Sequence, residues 1–164
     1  MDLLRRLRLA LEPEVVHAHC DIPCGIYDPH HAQMGAHTVL RMIDLTLALP
    51  GEEGSDLEKQ NKLMRYVLVK EQHAELVKNE VRILWGDYFT EEHVAQHPEL
   101  HDLVWRILKQ AGKAKQGVDR QAALDLVASV NRFAELFWTT KAKETATVAA
   151  PYPTEEPLAV PTYR

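Results

Sequence analysis

Apolar positions recur along most of this chain at helical spacing. Val39, Ile43 and Leu47 follow one another four residues apart behind Asp28-Pro29, a good N-cap and first-turn pair, and predict a helix over residues 29–49. Pro50-Gly51-Glu52-Glu53-Gly54 breaks it, and Ser55-Asp56-Leu57-Glu58 then reads as a capping box. The second helix runs from there to about Trp85, with Leu63, Tyr66, Val67, Lys70, His73, Leu76, Val77, Val81, Leu84 and Trp85 marking its stripe. Residues 86–98 carry aromatics and histidines and predict a loop with a short helical turn starting at Thr90. A third helix, about 98–112, turns Leu100, Leu103, Val104, Ile107, Leu108 and Ala111 inward, and a Lys-rich connection follows it to Gly117. Asp119 caps a fourth, about 120–144, whose Leu126, Val130, Phe133 and Phe137 form the seam of a bundle.

No strand pattern competes anywhere. The expectation is an all-α protein: an antiparallel four-helix bundle with an N-terminal metal-binding hook outside it. From Thr145 onward prolines at 151, 153, 157 and 161 erase the helical period, so residues 145–164 read as an extended or disordered tail.

Composition narrows the picture only a little. A chain of 164 residues with 46% hydrophobic and 26% charged residues suits one globular domain. A net charge of -5 leaves no broad basic surface for nucleic acid, and an anionic small molecule gains steering only from a local positive patch. There is no run of 18 apolar residues, so no transmembrane helix is expected. Two cysteines do not make a disulfide framework, and their C-x3-C spacing is neither the zinc C-x2-C pair nor a redox C-x-x-C.

The candidate chemistry sits in His19-Cys20-Asp21-Ile22-Pro23-Cys24-Gly25-Ile26-Tyr27-Asp28-Pro29. Before it, residues 1–18 set Arg5, Arg6 and Arg8 ahead of a short apolar patch broken by Glu12, Pro13 and Glu14. Val16-His17-Ala18 has the look of a cleavage site, although the apolar core is too short for an ordinary secretory signal. Residues 1–18 read as a removable leader of another kind; a frayed amphipathic N-terminal helix is the other reading.

Cys20 can chelate one metal through its thiolate and its own amide nitrogen. Thiolates combined with anionic nitrogen favour square-planar nickel(II) or copper(II) over the tetrahedral side-chain set of zinc. If Ala18 were removed, His19 would add a free α-amine, whose ordinary pKa of about 7.7–8.0 lets it lose its proton to a metal near neutral pH. The donor set is then the His19 amine, the Cys20 amide and thiolate, the Cys24 thiolate, and the His19 imidazole as axial ligand. Such an electron-rich set brings the higher oxidation state of nickel within reach.

The motif His-Cys-Asp-x-Pro-Cys-Gly-x-Tyr-Asp-Pro after a short leader resembles the nickel hook of nickel-containing superoxide dismutases. Lys70-Glu71-Gln72-His73-Ala74-Glu75-Leu76-Val77-Lys78, Leu84-Trp85-Gly86-Asp87-Tyr88-Phe89 and His97-Pro98-Glu99-Leu100-His101 are similar to the body of that family, over about residues 19–141. The resemblance implies a superoxide dismutase with one nickel ion per subunit, cycling between its 2+ and 3+ states. It makes His19, Cys20 and Cys24 the ligands. Asp21 and Tyr27 would shape the open face of the hook, Pro23 would be cis, and Tyr88 would be a second phenol near that face. It further implies a leader-removing peptidase, a homo-hexamer and a cytoplasmic protein, with superoxide as substrate and no nucleic-acid or membrane partner. Residues 19–144 would be the working domain.

Three positions depart from the family pattern. Where several members hold the axial imidazole with a Glu and an Arg, this chain has Gly35 and His73. One hypothesis is that His73 or a backbone carbonyl orients His19; an unchanged Ni(III) EPR spectrum and turnover in His73→Ala would overturn it. Thr90 stands where a Lys often serves the incoming anion, so steering must come from elsewhere.

Plainer readings exist for each of these residues. Cys20 and Cys24 could be incidental thiols, Tyr27 and Tyr88 ordinary packed tyrosines, and His73 a satisfied buried histidine. His30, His31 and His37 read as solvated, and His93, His97 and His101 as structural or subunit contacts. The competing functions are a nickel or copper carrier without turnover and a thiol redox protein.

Overall fold

The computed structural model describes residues 25–163. Helix α1 spans His30–Ala48 and runs into a 3-10 turn at Leu49–Gly51. Helix α2 covers Asp56–Ile83 and opens on the expected capping box: the Ser55 side chain accepts from the Glu58 amide, and the Glu58 carboxylate accepts from the Ser55 amide. A single π turn, Leu84–Tyr88, closes α2. A short helix α3 (Glu91–Gln96) precedes α4 (Leu100–Gln116) and α5 (Arg120–Thr140), the last capped by Asp119, whose carboxylate accepts from the Gln121 and Ala122 amides.

The long helices close into a ring in which α1 packs on α2 and α5, and α4 packs on α2 and α5. Phe133, Phe137, Leu126, Leu40, Ile43, Leu100 and Ile107 are fully buried between them. This is the all-α four-helix bundle that the apolar spacing predicts.

Three details differ from the sequence expectation. Helix α4 continues through Gly112 to Gln116, and Gly117 ends it. The first half of α2 is not core: Leu57 and Met64 are 76% and 72% exposed, Leu63 and Val67 are also exposed, and the buried α2 residues begin at Lys70. A helical stripe shows which residues share a face, not whether a neighbour covers it.

The third difference is the C-terminal segment. Where an extended or disordered tail is expected, the described residues form an antiparallel hairpin, β1 (Thr145–Ala149) with β2 (Pro157–Pro161), with Thr145 opposite Pro161 and Ala149 opposite Pro157. The prolines stand at the two ends of β2, where a missing N–H is tolerated. Consecutive Leu158 and Ala159 are both buried, so the strand carries no alternation for the sequence to display.

The hairpin is fastened by buried amides. The Asn131 side chain donates to the Pro157 carbonyl (2.7 Å) and accepts from the Ala159 amide (3.1 Å), serving the free edge of β2 as a neighbouring strand would. Gln33 of α1 donates to both the Asn131 side-chain oxygen (2.9 Å) and the Ala159 carbonyl (2.8 Å). Among the described residues no helix is long and apolar enough to cross a membrane.

Candidate functional site

The proposed ligands His19, Cys20 and Cys24, together with Asp21, Pro23 and the leader 1–18, lie outside the described residues. What the structure shows is the base on which the hook stands.

Gly25 has φ +64, the left-handed region that a side chain disfavours, and no neighbouring atom would meet a Cβ there. The glycine is thus required by the turn of the backbone and not by space. Two residues on, Tyr27 is half-buried, with its ring packed against the core. The Asp28 carboxylate accepts the His30 amide at 2.7 Å, one of the donors left over at the start of α1, and so fixes the direction in which the chain enters the bundle.

Tyr27 and Tyr88 come together, with ring centroids 5.4 Å apart. Tyr88 is set by the π turn at the end of α2 and wedged against Phe137 at 4.6 Å and Phe89 at 5.2 Å. Its hydroxyl lies 2.7 Å from the Thr140 hydroxyl, which itself donates to the Phe137 carbonyl at 2.7 Å. A hydroxyl has one proton, and Thr140 has spent it on Phe137. Tyr88 therefore donates to Thr140, and its phenol oxygen keeps only acceptor capacity for anything else nearby.

Two of the departing positions, Gly35 and His73, lie against each other. A Cβ on Gly35 would fall 2.8 Å from Val77 Cγ2 and 3.3 Å from the His73 carbonyl oxygen, so α1 and α2 approach here at a distance only glycine permits. A glutamate at 35 does not fit without displacing Val77. His73 is half-buried, and its Nδ1 donates to the Val69 carbonyl at 2.8 Å. That fixes the proton on Nδ1 and leaves Nε2 as an acceptor.

The other histidines divide by role. His30 and His31 are exposed, as expected, whereas His37 is buried. The His93 ring accepts the Thr90 amide while the Thr90 hydroxyl accepts the His93 amide, so Thr90 serves as a helix cap. His101 accepts from the Trp85 indole at 2.9 Å. Among the described residues no group of three or more His, Cys, Asp or Glu could hold a metal ion.

Two residues near Tyr88 carry no sequence signal. Thr140 is 52 positions away and belongs to no motif. Lys141 sets its ammonium 4.8 Å from the Tyr88 ring centre and 5.5 Å from that of Phe137, an exposed cation beside the tyrosine pair. Only the packing of α5 against the π turn reveals them.

Comparison with known proteins completes the geometry. Residues 14–141 match the family model described as nickel-containing superoxide dismutase. A superoxide dismutase [Ni] of Streptomyces seoulensis is 40% identical over 129 residues, covering 77% of this chain and 90% of that protein. Its counterpart in Streptomyces coelicolor is 38% identical over 137 residues, covering 82% and 96%. Among solved structures, a native nickel superoxide dismutase superposes with a TM-score of 0.66 at 35% identity, covering 76% of this chain and 99% of that one. An apo structure of such an enzyme gives 0.62 at 32% identity, covering 71% and 98%.

Proposed function

The chain belongs to the nickel-containing superoxide dismutase family, and from that membership we propose how this superoxide-dismutase-type oxidoreductase works. The reaction takes two superoxide anions and two protons to oxygen and hydrogen peroxide. The observation that carries the reading is that His19, Cys20 and Cys24 lie inside the span matching the family model, as do Tyr27, which follows them in sequence, and Tyr88, whose ring meets that of Tyr27.

The donor set fits the metal. The described part of the bundle holds no cluster able to bind an ion, and the thiolates of Cys20 and Cys24 with an amine and amide nitrogen suit nickel. Bound there, nickel would supply the one-electron steps by alternating between its 2+ and 3+ states.

The remaining roles fall to the protein. His19 provides the amine and imidazole once the bond after Ala18 is cut by a leader peptidase. Asp21 and Tyr27 shape the open face. Tyr88, with its own proton turned to Thr140, offers Tyr27 an acceptor and holds that ring by packing. His73, with its proton on Nδ1, has Nε2 available to accept a hydrogen bond from the His19 imidazole N–H, in place of the Glu that Gly35 excludes. Lys141 supplies the local positive charge that position 90 lacks, against a net charge of -5. The exposed apolar side chains on the first half of α2 support assembly into a homo-oligomer, for which we expect a hexamer.

The test is the mature protein itself. Mass spectrometry should show loss of residues 1–18 with one nickel retained per chain, and that material should accelerate superoxide decay. Nickel bound without turnover would overturn the enzyme reading in favour of a carrier.

A further inference from the structure

The C-terminal hairpin lies beyond residue 141, where the family match ends, and its turn closes with α1 around a cavity of about 290 Å³. That is near the lower end of the size range of small-molecule sites. Met34 and Met42 from α1 and Tyr152 and Pro153 from the turn give it apolar walls.

Its polar points are few and mismatched. Arg41 lines the cavity and makes no hydrogen bond or ion pair with any described residue. Asp44, three residues on in α1, is held by Arg120 at 2.8 Å, and Arg120 also takes Glu156 of the hairpin at 3.1 Å. Arg132, by contrast, binds two carboxylates. His37 forms the inner wall at 3% exposure, with Nδ1 2.9 Å from the Thr154 hydroxyl and the ring edge-on to Tyr152. Its Nε2 is buried with no hydrogen-bond partner. Burial holds the His37 pKa below its ordinary value, against the opposing pull of the Pro157 carbonyl and the Glu156 charge. Among the described residues that line the cavity, Arg41 alone carries a full charge at neutral pH.

We propose that this cavity is a binding site for a small monocarboxylate with an apolar body, of the class of medium-chain fatty acids. The carboxylate pairs with Arg41 and the body lies against Met34, Met42 and Tyr152. An unmatched guanidinium recognises a carboxylate through paired N–H donors, and methionine walls adapt to a flexible chain. The site is independent of the nickel hook and of the dismutase reading.

The test is a titration of the full-length protein with sodium octanoate, followed by NMR of the backbone amides. Saturable shifts are expected at residues 34–42 and 152–154. Octan-1-ol, the same chain without the charge, should bind about tenfold more weakly, and Arg41→Gln should weaken octanoate by about tenfold and level the two ligands. Met34→Trp, which fills the cavity from an exposed position, should abolish binding with the circular dichroism unchanged. Equal affinity for octanol and octanoate, no effect of Arg41→Gln, or undiminished binding to Met34→Trp would each overturn the proposal.

Discussion

Residues 25–29 reach the bundle through Tyr27, whose ring meets Tyr88, whereas residues 145–163 reach it through the amides of Gln33 and Asn131. Both segments end on α1, one at its start and the other along its buried face. The N-terminal contact is a pair of rings in which Tyr88 spends its proton on Thr140 and keeps its phenol oxygen as an acceptor. The C-terminal contact is the opposite: the Gln33 and Asn131 side-chain amides spend hydrogen bonds on each other and on the β2 backbone, which fixes the segment. The difference separates a part built for chemistry from a part built for attachment, and it makes substitutions at the two ends distinguishable.

The largest expected effect is at the N-terminal end. Cys24→Ala should bring superoxide turnover to the uncatalysed background and abolish nickel binding, with the thermal midpoint unchanged. A matching fall in midpoint would mean that the hook also holds the fold, and the contrast would fail.

Asn131→Leu should do the reverse. It leaves the buried Ala159 amide without a partner and takes the donor from the part-buried Pro157 carbonyl, so chemical denaturation should show a loss of about 1–3 kcal/mol. Turnover per bound nickel should stay at the wild-type level; a loss of turnover would show that the hairpin governs the hook through α1.

A smaller effect sharpens the same boundary through pH. Burial lowers the folded-state pKa of His37 below the ordinary 6.5, so the unfolded chain takes up the proton first as pH falls, and stability declines below about that pH. Thermal melts should show this decline in the wild type and a flatter profile in His37→Gln. Equal slopes would place the titration elsewhere.

The smallest effect belongs to Lys141. Removing one exposed cation beside the tyrosine pair should lower kcat/KM by about two- to fivefold at low ionic strength and reduce its salt dependence. Unchanged salt dependence in Lys141→Gln would assign the steering to another charge.

The helices were legible because their signals are local. Ser55 with Glu58 and Asp119 with Ala122 act across a single turn, and the seam from Leu126 to Phe137 repeats within one helix. The hairpin was not legible, because Leu158 and Ala159 are buried side by side and the flanking prolines read as breakers. The stripe of α2 is a covered face from Lys70 to Leu84, but Leu63 and Val67 before it and Trp85 after it are exposed.

For the candidate site the division is similar. The hook is a run of adjacent donors, and chelation by neighbouring residues depends on covalent spacing, so the sequence alone names the metal class and the ligands to test. Sequence also marked Gly35, His73 and Thr90 as departures, without giving the reason. Only the tertiary structure shows that Gly35 lets α1 meet Val77 and the His73 carbonyl, and that Tyr88 gives its proton to Thr140. The same holds for the cavity, where His37 meets Thr154 across 117 residues and Arg41 makes no ion pair with any described residue. Such pairings leave no periodic trace in the chain, since their energy depends on where helices pack and not on the spacing of residues along them.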